Sequence, residues 1–154
     1  MTKDTTSFVY VTYIAATPQK VFDAIIKPEI AGQYWGHENV SDWTPGAPWQ
    51  HIRVGEERTL QLVGEVVEIT PPSRLVVTWA NASQAADPDA YSRVTFEVEP
   101  YDDMVRLTVS HDDLIAGSGM ATGVSKGWPI VLSSLKSFLE TGRGLDVFAK
   151  PKAA

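Results

Sequence analysis

The sequence predicts an α+β domain of element order β-α-α-β6-α, with a curved antiparallel sheet wrapped around a long C-terminal helix. Three observations predict it. Two short helix signals follow directly on a first strand, residues 37–111 then read as strands and turns, and a final helix carries a single apolar stripe. Strands in succession with no helix between them form an antiparallel meander. The stripe must be buried, and a strongly twisted sheet offers one concave face to receive it. Sheet and helix touch best at one end, so an apolar cavity is expected at the other.

Residues 8–14 are β-branched and aromatic and read as a strand. Its two faces compete evenly, Phe8, Tyr10, Thr12 and Ile14 against Val9, Val11 and Tyr13. Thr17-Pro18 then supplies an N-cap and a proline at the first helical position. Val21, Phe22, Ile25 and Ile26 recur at helical spacing until Pro28 stops the helix. Pro28 can itself open a second helix over 29–35, with Gly36 as its C-terminal cap.

Thr44-Pro45-Gly46 and Val54-Gly55-Glu56 read as turns, and Pro71-Pro72-Ser73 closes a long strand over 58–70. A strand over 75–80 precedes a polar, Ala-rich loop over 81–89. Strands over 91–99 and 104–111 form a hairpin through Pro100-Tyr101-Asp102-Asp103. In the last helix Val124, Trp128, Val131, Leu132, Leu135, Phe138 and Leu139 form the stripe, while Lys126, Ser133, Lys136 and Glu140 face elsewhere. Pro129 should kink this helix or mark its true start, and Gly142 ends it. Residues 1–142 make one domain; residues 143–154 form a tail whose Leu145, Val147 and Phe148 suit it to lie back on that domain.

At 154 residues, 44% of them hydrophobic and 21% charged, the chain can bury a core without staples. It has no cysteine, which excludes disulfides, thiolate chemistry and sulfur-ligated zinc. A net charge of −6 without a basic run argues against nucleic-acid binding. No apolar run is long enough for a membrane span, and the polar start Met1-Thr2-Lys3-Asp4 lacks a secretory core, so the expected compartment is the cytoplasm. Five tryptophans, Trp35, Trp43, Trp49, Trp79 and Trp128, are many for this length, and Trp favours cavities and interfaces as well as plain core.

A family resemblance enters on ordered motifs. Ala15-Ala16-Thr17-Pro18-x-x-Val21-Phe22-x-Ala24, and Pro28-Glu29 with Trp35 shortly after, open it. Gly64-x-Val66-x-Glu68-Ile69-x-Pro71-Pro72-x-Arg74-Leu75-Val76-x-Thr78-Trp79 continues it, as do Ser92-x-Val94-Thr95-Phe96-x-Val98 and Leu107-Thr108-Val109-x-His111. Gly127-Trp128, Leu132, Leu135-Lys136 and Leu139-Glu140-Thr141-Gly142 complete it. The chain resembles START-like (SRPBCC, helix-grip, Bet v 1-like) proteins, and among them the branch named after the activator of Hsp90 ATPase (AHSA-like). The resemblance implies the helix-grip fold and a cavity for a lipid, a polyketide or another apolar small molecule. It leaves the activity open between a binder, a polyketide cyclase or lyase, and a chaperone-associated, stress-response interaction domain. The co-chaperone of the branch also uses an N-terminal domain of which this sequence shows no counterpart, and fold likeness alone does not carry activity.

Strand parity nominates the site, because alternate residues face opposite sides of a sheet. Val105, Leu107, Val109 and His111 share the apolar face, as do Val94, Phe96 and Val98, and Leu75, Val77 and Trp79. His111 therefore points at the helix, where a lone histidine is more often a hydrogen-bonded core residue than a ligand contact or acid–base group. Trp49, His51 and Arg53 share parity too, so His51 and Arg53 would give the cavity a polar end for a carboxylate or enolate, unless Arg53 is solvated at the strand end. In the enzyme reading, His111 and Arg53 polarise the substrate. The expected cavity residues are Phe22, Trp35, Trp49, Arg53, Trp79, Phe96, His111 and Trp128, with an apolar small molecule or a chaperone or other protein as partner, in a monomer or homodimer.

Other constellations fall away. Ser110-His111-Asp112 alternates faces and cannot form a hydrolytic triad. His37, His51 and His111 have no paired metal-ligand spacing, so no metal or other cofactor is expected. Gly117-Ser118-Gly119 opens a helix, but Gly123 is one place late for a dinucleotide loop. That glycine segment reads instead as a hinge and, with the 81–89 loop, as the lips of the cavity.

Overall fold

The computed structural model describes residues 4–55 and 57–145, so Glu56 and the tail residues Val147 and Phe148 lie outside the described residues. Strand β1 (Thr5–Ile14) leads into helices α1 (Pro18–Ile26) and α2 (Pro28–Trp35). Six strands follow: β2 (His37–Ser41), β3 (Pro48–Arg53), β4 (Thr59–Thr70), β5 (Arg74–Asn81), β6 (Ser92–Tyr101) and β7 (Met104–Ile115). Helix α3 (Gly119–Thr141) closes the domain. The α+β, helix-grip order β-α-α-β6-α is thus the observed one.

Local chemistry sets the helix ends. The Thr17 hydroxyl accepts from the Lys20 N–H, Pro18 and Pro28 occupy first-turn positions, and Gly36 takes the left-handed conformation that ends α2. Lys27 caps the end of α1 and the start of α2, so the two helices meet with no linker. The Ser118 hydroxyl caps α3 by accepting from the Ala121 N–H at 3.1 Å, and left-handed Gly142 ends it. Pro129 lies inside α3 and does not mark its start. The proline removes one N–H from the helix ladder, and the burial of the flanking stripe outweighs that loss.

The strands form one sheet in the order β1-β7-β6-β5-β4-β3-β2, antiparallel throughout. The 81–89 loop contains short 3-10 turns at Ala82–Gln84 and Pro88–Ala90. In β1, Ile14 is buried and Phe8, Tyr10 and Thr12 are half-buried toward α3, whereas Val9, Val11 and Tyr13 are exposed. This settles the parity that residues 8–14 left open: only one face of the edge strand has a helix to cover it.

Helix α3 is held most firmly over its C-terminal half. Val131, Leu132 and Leu135 are buried, and Ser134 Oγ donates to the Tyr34 carbonyl of α2 at 2.6 Å. Lys136 Nζ reaches the Tyr13 carbonyl at 2.7 Å, and the Glu140 carboxylate accepts the Ala15 N–H at 2.8 Å. Leu145 N–H donates to Ser134 Oγ at 2.9 Å, so the start of the tail does return to the helix.

At the other end of the sheet one glycine is indispensable. The Trp49 indole of β3 lies across β4 to donate to the Thr78 carbonyl of β5 at 2.7 Å, and it passes directly over Gly64. A Cβ at Gly64 would overlap both the Thr78 carbonyl and the Trp49 indole. Gly64→Ala is expected to destabilise the fold by about 2–4 kcal/mol, measured by urea unfolding, because backbone rather than a flexible side chain would have to move.

Candidate functional site

Between the N-terminal half of α3 and the far end of the sheet lies an open-mouthed cavity of about 300 Å³. Its interior is built from Trp35 of α2, His51 of β3, Trp79 of β5, and Val124, Trp128 and Val131 of α3. His37, Gln61, Leu62, Asn81 and Met120 surround the mouth. Gly119, Gly123 and Gly127 complete the α3 side, one helical turn apart. A Cβ added at any of the three would meet no atom within 4 Å, so these glycines leave space that ordinary helix residues would occupy.

The aromatic residues form a continuous cluster. Trp128 lies 5.7 Å from Trp35 and 5.4 Å from Trp79 between ring centres, and Trp79 lies 5.2 Å from Trp49. Each is tilted relative to its neighbour, as the ring quadrupoles prefer.

His111 is fully buried and both its ring nitrogens are engaged. The Trp128 indole N–H donates to Nδ1 at 3.1 Å. Ser92 Oγ sits 2.7 Å from Nε2 and 3.1 Å from the Trp79 carbonyl. A carbonyl can only accept, so the Ser92 hydroxyl donates to it and accepts from Nε2–H. His111 is therefore the neutral Nε2–H tautomer. Burial pushes its pKa down to about 4, with Asp112 offsetting part of that shift. This histidine anchors a cavity wall and has no free lone pair for a ligand or a proton transfer.

The other two histidines differ. Their rings stack with 4.5 Å between centres and 6° between planes, at the meeting of β2 and β3. His37 Nδ1 donates to the Trp35 carbonyl at 2.9 Å. His51 Nδ1 lies 2.7 Å from Asn39 Oδ1, and the Asn39 amide is oriented by donating to the Ile25 carbonyl at 2.8 Å. Both rings are thus Nδ1–H tautomers with a lone pair at Nε2. Burial holds the His51 pKa well below the usual imidazole range, and the nearby His37 adds a smaller push the same way. Burial also lowers His37, against the raising effect of its carbonyl bond, and Arg53 lowers it further. The Trp79 indole N–H is, among the described residues, the one buried side-chain polar atom without a partner.

Of the residues expected at the cavity, Trp35, Trp79 and Trp128 line it. Trp49 and Phe96 lie behind Trp79, around a small apolar gap, and Phe22 sits in the core with 1% exposure. His111 stands behind Trp128 and holds it in place. Arg53 pairs with His37 at the strand end, is half-buried and is not among the lining residues. Gly119 and Asn81, from the two segments expected to form the cavity lips, do line it, whereas sequence reasoning missed the roles of His37, Ser92, Gly123 and Gly127. Ser92 shares the parity of Val94 and Phe96, which was a usable signal. The role of His37 depends on the β2–β3 register, which no local pattern reveals. Among the described residues, no three His, Asp or Glu side chains converge to hold a metal ion.

All three histidines are kept neutral by folding, and this sets a pH dependence. Their folded pKa values lie below the ordinary 6.5, so the unfolded chain binds more protons on acidification. Their contribution is complete above pH 6.5 and is lost as pH falls through each folded pKa, about 4 for His111. The urea midpoint should therefore drop steadily across that window. His111→Ala should cost about 2–4 kcal/mol at pH 7, by orphaning the Trp128 indole N–H and leaving a void behind it, and should flatten that slope.

Comparison with known proteins places this geometry. No curated protein matches the chain by sequence. Among solved structures it is similar to the Aha1 dimer from Colwellia psychrerythraea, with 17% identity, a TM-score of 0.74, and coverage of 90% of this chain and 99% of that one. It is similar to CalU16 from Micromonospora echinospora, with 20% identity, a TM-score of 0.68, and coverage of 88% and 77%. DynU16, a protein of the dynemicin biosynthetic locus, matches at 20% identity and a TM-score of 0.71, covering 90% of this chain and 48% of that one. At these identities the likeness shows the fold. Residues 15–140, from the end of β1 to the last turn of α3, match the family described as Activator of Hsp90 ATPase homolog 1-like protein, and the chain belongs to that family.

Proposed function

We propose that this protein binds a small hydrophobic molecule in the cavity between α3 and the sheet. The observation that carries the reading is a cavity of about 300 Å³ lined by the glycines and Trp128 of α3 on one side and by Trp35 and Trp79 among the rest of its lining. Glycine inside a helix costs about 1 kcal/mol relative to alanine, so Gly123 and Gly127 oppose helix stability while leaving the cavity unfilled. Concave, largely apolar sites with a few polar groups are where small ligands bind. The fold likeness to a protein of the dynemicin biosynthetic locus is in keeping with a biosynthetic small molecule as occupant. The fully engaged His111 speaks for a binder over a cyclase that would use this residue.

Native mass spectrometry of the purified protein, before and after organic extraction, tests the reading. A co-purifying apolar mass that extraction removes is the expected result. Gly127→Leu fills the cavity with a better helix former, and should keep or raise Tm while abolishing that mass. A clean apo mass, with no thermal shift from a panel of fatty acids, fatty alcohols and flavonoid-like compounds, would overturn the reading. It would favour a chaperone-associated interaction domain, the role named in the family's description.

A further inference from the structure

We propose that the cavity selects a flat apolar molecule bearing a neutral hydroxyl, which donates to the imidazole lone pairs of His51 and His37. This deepens the ligand-binding reading and rests on it. Each Nδ1–H is committed, one to the Trp35 carbonyl and one to Asn39 Oδ1. Each Nε2 lone pair has no protein partner among the described residues, and both rings line the cavity. The Asn39 amide cannot flip to relieve this, because its own N–H is held by the Ile25 carbonyl. The histidines therefore offer the ligand two acceptors and no donor.

That polarity discriminates between ligand classes. A carboxylate brings only lone pairs and a charge, and would meet two further lone pairs in a largely apolar enclosure. The guanidinium of Arg53 acts on His37 but does not line the cavity, so it is not placed inside to pair with such a charge. A hydroxyl can donate to an imidazole lone pair, which a carboxylate cannot do. The indole walls of Trp35, Trp79 and Trp128 favour a flat ring system. A phenol or enol on a fused apolar skeleton has all of these properties.

Calorimetric titration at pH 7.5 with naphthalene, 2-naphthol and 2-naphthoate, which share a skeleton, tests the selection. The expected order is naphthol above naphthalene by about 5–10-fold, the worth of one neutral hydrogen bond, with naphthoate weakest. His51→Phe should erase the preference for naphthol and retain naphthalene binding. His37→Phe, at the half-buried ring, should reduce the preference without disturbing the Asn39 bond, and guards against a folding failure in the first variant. Naphthoate binding as tightly as naphthol, or a preference unchanged in both variants, would overturn the proposal while ligand binding stands. Failure of all three probes to bind would overturn both.

Discussion

One chain of hydrogen bonds ties the helix to the sheet at the cavity. It runs from the Trp128 indole to His111, from His111 to Ser92, and from Ser92 to the Trp79 carbonyl, joining α3 to β7, β6 and β5. Every donor and acceptor along it has a defined role, which is what makes a buried polar network rigid instead of costly. Trp128 and Trp79 touch, with 5.4 Å between ring centres, and form one continuous aromatic wall of the cavity, so the chain fixes the shape of that wall. The dense apolar core elsewhere could form without it, but the cavity would lose its shape.

The remainder of the domain divides between a filled end and a hollow end. At the filled end, Leu132, Leu135 and Val131 seat α3 on β1 and α2, and polar contacts from Ser134, Lys136 and Glu140 fix its register. At the hollow end the same helix presents glycines and the sheet presents histidines. Their chemistry is one-sided, because the backbone and Asn39 have already taken the donors. The site thus combines an aromatic enclosure with acceptors whose protons are accounted for within the protein.

Much of this was legible in the sequence where local chemistry decides. The Thr17-Pro18 and Pro28 starts and the Gly36 stop define two helices by capping rules alone. Alternation in β5, β6 and β7 placed Trp79, Phe96 and His111 on the inner face, and the structure buries all three. What stayed hidden depends on tertiary placement. β1 is apolar on both sides, and only the position of α3 decides which side is covered. His37 joins His51 through the register across a hairpin, and β4 carries an irregularity opposite His51 and Ile52 that no pattern announces. The segment Gly117-Ser118-Gly119 reads from sequence as a hinge and cavity lip, Gly123 only as a misplaced dinucleotide glycine and Gly127 only as part of a family motif, because the contribution of Gly123 and Gly127 is unoccupied space, which has no residue signature.

The unequal seating of α3 also has a dynamic consequence. Amide protons exchange through local openings whose free energy reflects how many buried contacts must break. Leu132 and Leu135 lie in the part of the helix with the densest packing, whereas Gly119 to Gly123 border open space. Protection along this single helix should therefore form a gradient, slow at the Leu135 end and fast at the Ser118 cap. Opening of the first turns of α3 would widen the mouth of the cavity, while the anchored half would keep the fold intact.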